Sequence, residues 1–166
     1  MSDRHHRQTL RDDELDPALA EVSRLVIGCA IDIHNTLGPG FTREVYENAL
    51  AFELEQEDVK HVLRHTFDVR YDGHKVGEHV VSLYVDERFF VDVIEAHGEI
   101  GGFERSAMRA RLRAGDVGLG LMINFNRPRL KDGGLVRVLN PDKIDAIKGS
   151  GAPAHATVGA DEDGDE

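Results

Sequence analysis

The sequence predicts an α/β domain built on a mixed sheet, and three observations predict it. Two amphipathic helical segments come first. A block of alternating and continuous apolar runs follows, with the short spacing of strands and hairpins. One helical segment then separates two runs apolar enough to be covered on both faces. A helix joining two such strands implies a parallel crossover, right-handed by the general rule, and the hairpins around it add antiparallel pairs.

Asp16-Pro17 opens the first helix, an N-cap acid followed by proline at the first helical position. Leu19, Val22, Val26, Cys29 and Ile33 then recur every three or four residues as a core-facing stripe. Leu37-Gly38-Pro39-Gly40 ends it, because glycine supplies the left-handed turn and proline cannot continue a helix. The second helix is expected from Phe41 or Thr42 to about Glu57. Val45, Ala49 and Phe52 form its inward stripe, with Tyr46, Leu50 and Leu54 alongside. So short a link makes the pair an antiparallel helical hairpin.

Residues 59–66 read as an irregular strand leading into the alternating Phe67-Asp68-Val69-Arg70-Tyr71. Asp72-Gly73 is a tight turn, and residues 75–85 form the returning strand. Asp86-Glu87-Arg88 turns the chain into Phe89-Phe90-Val91-Asp92-Val93-Ile94, which reads as a central strand. A loop at 98–102 leads to a basic helix over 103–114 that carries Arg105, Arg109, Arg111 and Arg113. These arginines are expected on a solvated face, paired with neighbouring acids. Residues 117–125 form a second buried strand and 135–139 an edge strand. Asn140-Pro141 opens a last short helix to about Lys148, with Asp142 in its first turn.

A single domain over residues 15–148 is expected, with a polar tail over 1–14 and a small, acidic tail over 149–166. The chain of 166 residues is 40% apolar, enough for one core. Its one cysteine, Cys29, leaves no disulfide framework and no cysteine-only zinc cage, and is expected as a buried thiol. No apolar run suits a signal peptide or a membrane span, so a cytoplasmic protein is expected. The net charge is −11, and the five acids among the last six residues supply under half of it, so the folded part is acidic too. Binding to duplex nucleic acid draws on cationic contacts to phosphates, and this balance argues against a large footprint of that kind.

The run Val26-Ile27-Gly28-Cys29-Ala30-Ile31-Asp32-Ile33-His34-Asn35-Thr36-Leu37-Gly38-Pro39-Gly40 is a specific signature. Val45-Tyr46-Glu47-Asn48-Ala49-Leu50, the turn at Tyr71-Asp72-Gly73, and Gly118-Leu119-Gly120-Leu121-Met122-Ile123-Asn124-Phe125 accompany it. Together they closely resemble the bacterial GxxExxY proteins, a branch of the PD-(D/E)XK nuclease superfamily, over roughly residues 19–139. The resemblance implies a restriction-endonuclease-like core: a mixed central sheet flanked by helices, with an N-terminal helical hairpin. It also implies metal-dependent phosphodiester cleavage. In that chemistry an Asp and a Glu on neighbouring strands hold magnesium or manganese through hard oxygen ligands. The cation organises the attacking water and a Lys two residues after the Glu assists. A Glu on the helical hairpin and a Gln on the crossover helix complete the pattern.

At each of those points this sequence departs. Gly40 and Tyr46 match the name-giving motif, but Arg43 stands at its Glu position. Glu44 comes one residue late, about 100° around the helix. Ser82 falls at the Asp position. One register places Asp92 at the acid and Ile94 at the lysine; the other places Val93 and Glu95 there. Ala107 stands where the Gln is expected.

The leading expectation is therefore a catalytically degenerate nuclease fold that acts by binding a protein partner or itself, with no cofactor. An alternative is a magnesium- or manganese-dependent nuclease with relocated carboxylates, using Asp92 or Glu95 with Glu44 and His97. Asp92 and Glu95 differ in strand parity, so one alone can face the former site. A second alternative is a small-anion or ligand module using Arg43, Tyr46 and Ser82. A cation at position 43 is further expected to pair with Asp92 or Glu95 in place of the metal's charge. Asp32 and His34, near the end of the first helix, are expected either to line the cleft or, for the histidine, to cap the helix.

Overall fold

In a computed structural model the described residues are 11–149. Helix α1 (Pro17–Leu37) and helix α2 (Arg43–Gln56) form the opening hairpin. Asp16 caps α1 by accepting from the Ala18 N–H at 3.0 Å. Gly38 ends it with φ +72°, its N–H donating to the His34 carbonyl at 2.8 Å. Strands β1 (His61–Tyr71) and β2 (His74–Val85) follow as a long antiparallel hairpin, then β3 (Phe89–Val93). Helix α3 (Gly102–Gly115) crosses over to β4 (Leu119–Ile123), which is followed by β5 (Leu135–Leu139) and the single-turn α4 (Ile144–Ile147).

The sheet order is β1-β2-β3-β4-β5, with β3 and β4 parallel and the other neighbours antiparallel. All five residues of β3 and all five of β4 are buried, as a central parallel pair requires. The mixed sheet with its flanking helices is thus the α/β architecture expected, crossover included. β1 is one strand, not an irregular piece plus a regular one. Its irregularity is concentrated at Arg64, with φ +52°, and at a register shift between Val69 and Arg70.

Three expectations change. Helix α2 buries Tyr46, Glu47, Leu50 and Leu54, while Val45 and Phe52 stay exposed at 37% and 63%. Of the stripe expected inward only Ala49 packs against the core, because Tyr46 and the paired Glu47 take the inner positions. The 3-10 turn Asp12–Glu14 joins the body through the Asp12–Arg137 ion pair, although the tail was expected to run to residue 14. Helix α3 does not keep all its arginines on a solvated face, because Arg111 reaches the buried Asp92. The expected tails at 1–10 and 150–166 lie outside the described residues. Among the described residues no helix is long and apolar enough to cross a membrane.

Candidate functional site

Asp92 is the one charged side chain in β3, and it is 1% exposed. A carboxylate so buried persists only when its charge is met and its lone pairs are filled. Arg43, in the first turn of α2, brings Nη2 to 2.7 Å from Oδ1. Arg111 on α3 brings Nη1 to 2.7 Å from Oδ2. Ser82 on β2 adds its hydroxyl at 3.2 Å and its backbone N–H at 3.3 Å, both to Oδ1. The same Ser82 oxygen accepts from the Val93 N–H at 3.0 Å, which locks β2 to β3. Two helices and two strands thus converge on one carboxylate.

Next to it, Glu47 is 6% exposed and salt-bridged twice. Arg43 Nε lies 3.4 Å from Oε2, and Arg64 Nε lies 3.5 Å from Oε1. The left-handed backbone at Arg64 brings its guanidinium against α2, where Nη2 also donates to Asn48 Oδ1 at 3.1 Å. Three guanidinium groups therefore face two buried carboxylates. His79 completes the surroundings: its Nε2 is buried without a hydrogen-bond partner among the described residues. Burial, and then the Arg111 guanidinium, hold its imidazole below the usual histidine value.

The other expected residues separate. Glu95 is exposed and accepts the Arg43 backbone N–H at 2.9 Å, an acid at the start of α2. Glu44 points outward, within 3.7 Å of Arg64. His97 is exposed and Ile94 half-buried, and Ala107 offers no polar atom. Glu44, Glu95 and His97 therefore do not gather around Asp92. Tyr46 is no ligand for the site either, since its hydroxyl is fully used in bracing the α1–α2 turn. It donates to the Gly38 carbonyl at 2.6 Å and accepts from the Phe41 N–H at 3.2 Å, while its ring stacks on Phe125 at 4.2 Å.

His34 lies in the last turn of α1, where it was expected. Its Nε2 lies 2.8 Å from the Arg127 carbonyl, tying α1 to the segment after β4. Asp32 is exposed and lines a groove between α1 and α2, with no part in the Asp92 cluster. Cys29 is buried at 6% exposure; burial and then the charges of Glu53, Glu57 and Asp32 push its thiol up to about 11.

A divalent cation does not fit this donor set. Hard cations take several anionic oxygens, and here both buried carboxylates already spend their oxygens on guanidinium groups. Among the described residues no three His, Cys, Asp or Glu side chains come together as metal ligands. What the arrangement does chemically is neutralise Asp92 and cross-brace α2, β2, β3 and α3. The sequence reading missed two members, Arg111 and Glu47. Glu47 left a signal, lying at i+4 from Arg43; Arg111 is one of four arginines on its helix and left none.

A sequence model described as the PD-(D/E)XK nuclease superfamily matches residues 20–138, most of the chain. No curated protein and no solved structure matches it.

Proposed function

The chain belongs to the PD-(D/E)XK nuclease superfamily, and from that premise we propose that it is a degenerate member of the GxxExxY branch, acting by binding and not by cleavage. The observation that carries this reading is the state of Asp92. A catalytic carboxylate must leave its oxygens open to a cation, and both oxygens of Asp92 are held at 2.7 Å by arginines from two different helices. Arg43 stands where the hairpin glutamate is expected, so a metal ligand has become a counter-charge. Ile94, two residues after Asp92, supplies neither the charge nor the water contact of a lysine.

The scaffold is meanwhile kept intact by the same residues that no longer suit the chemistry. A protein partner or a second copy is the proposed binding target, with no cofactor, in the cytoplasm. The domain proper is taken as residues 15–148, extended by the turn at Asp12–Glu14.

The test is a cleavage assay on duplex DNA, single-stranded DNA and RNA, with magnesium and with manganese. Native chain and Asp92→Asn should give the same background. Cleavage by the native chain that Asp92→Asn removes would establish an active nuclease instead.

A further inference from the structure

Between α1 and α2, on residues that take no part in the Asp92 cluster, lies a groove of about 670 Å³. Glu21, Asp32, Glu53 and Glu57 line it against a single cation, Arg24. None of the four carboxylates forms an ion pair among the described residues. The floor includes the half-buried Val22 and Leu25, so the acids rim an apolar surface. The raised Cys29 thiol senses the same field, since Glu53, Glu57 and Asp32 all push it upward.

Gly28 adds a separate observation. It sits exposed in the middle of α1, where glycine is a poor helix former. No positive φ requires it, and a Cβ added there would meet no atom within 4 Å. Packing therefore does not account for the missing side chain. Its effect is to leave the groove open, because Gly28 lines it.

We infer that the α1–α2 groove docks a polypeptide segment of a partner protein, one that presents an apolar side chain flanked by lysine or arginine. The apolar anchor covers the floor and the cations pair with the free carboxylates, in the manner of an amphipathic helix laid in a groove. A second copy is the poorer occupant, because two faces bearing the same four carboxylates repel. This inference goes beyond the proposed loss of catalysis and uses none of the same residues.

The experiment titrates the full chain into a fluorescein-labelled peptide of repeated Lys-Leu-Leu-Lys and follows anisotropy at physiological ionic strength. A Glu-Leu-Leu-Glu peptide serves as its counterpart. Native chain should bind the basic peptide and not the acidic one. Gly28→Leu, which fills the groove without changing charge, should weaken binding at least about tenfold with no loss of melting temperature. Glu53→Lys with Glu57→Lys should do the same. Asp68→Lys with Glu78→Lys, an equal charge change on the β1–β2 hairpin, should have little effect. The inference is overturned if the native chain does not bind, if Gly28→Leu binds as tightly as the native chain, or if the hairpin variant loses as much as the groove variant. It is equally overturned if sedimentation reveals a native dimer that Gly28→Leu dissociates, which would assign the groove to a second copy.

Discussion

Arg111 Nη1 lies 2.7 Å from Asp92 Oδ2, so α3 closes on the same carboxylate that α2 grips through Arg43. The two arginines are alternative partners for one buried charge, and that redundancy has a consequence for stability. Either single replacement by alanine leaves one guanidinium in place and should cost about 1.5–3 kcal/mol, the worth of a charged hydrogen bond. Arg43→Ala with Arg111→Ala strands the carboxylate and should cost about 3–5 kcal/mol. Urea denaturation of the four proteins measures this. A double variant as stable as the native chain would mean that Asp92 does not need its partners.

Tyr46 holds the α1–α2 turn through its hydroxyl alone, since the ring stacks on Phe125 independently. Tyr46→Phe should therefore cost about 1–2 kcal/mol, because the Gly38 carbonyl and Phe41 N–H lose a shared partner. Differential scanning calorimetry should record the loss with the sheet signature unchanged in circular dichroism.

Cys29 gives a prediction at high pH. Burial, then Glu53, Glu57 and Asp32, raise its thiol from 9.0 to about 11. A raised acid holds its proton longer when folded, so the stability tied to it is full below 9.0 and is lost as pH rises through about 11. Alkylation rates in the folded chain should climb toward a midpoint near 11, against one near 9.0 in the denatured chain. Coincident midpoints would remove the burial argument.

His79 gives the opposite sign. Its folded value lies below 6.5, chiefly through burial and next through Arg111, so the unfolded chain takes up a proton first as pH falls. Stability is full above 6.5 and declines as pH drops toward the folded value. In NMR titrations Arg111→Gln should move the His79 midpoint upward; an unmoved midpoint would separate the two residues.

Much of the fold was legible because burial writes itself into runs of residues. Phe89–Val93 and Leu119–Ile123 are apolar almost without break, and only the middle of a sheet tolerates that. The inner face of α2 was not legible in the same way. Apolar residues at 45, 46, 49, 50, 52 and 54 allow two stripes, and the choice falls to a charged residue, Glu47. Glu47 is inward because Arg43 and Arg64 meet it there, a tertiary fact. Arg111 was hidden for a related reason. Three other arginines share its helix, and nothing local distinguishes the one whose long side chain reaches β3. That Arg43, Ser82, Ile94 and Ala107 stand where the resemblance expects Glu, Asp, Lys and Gln was visible in sequence; the groups that surround Asp92 were visible only in part, through Arg43.

The most direct measurement is a calorimetric titration of the untagged full chain with manganese and with magnesium. With Asp92 closed by Arg43 and Arg111, no stoichiometric binding is predicted up to millimolar metal. Stoichiometric binding in the micromolar range that carboxylate sites reach, abolished by Asp92→Ala, would contradict the account and restore a metal-dependent site.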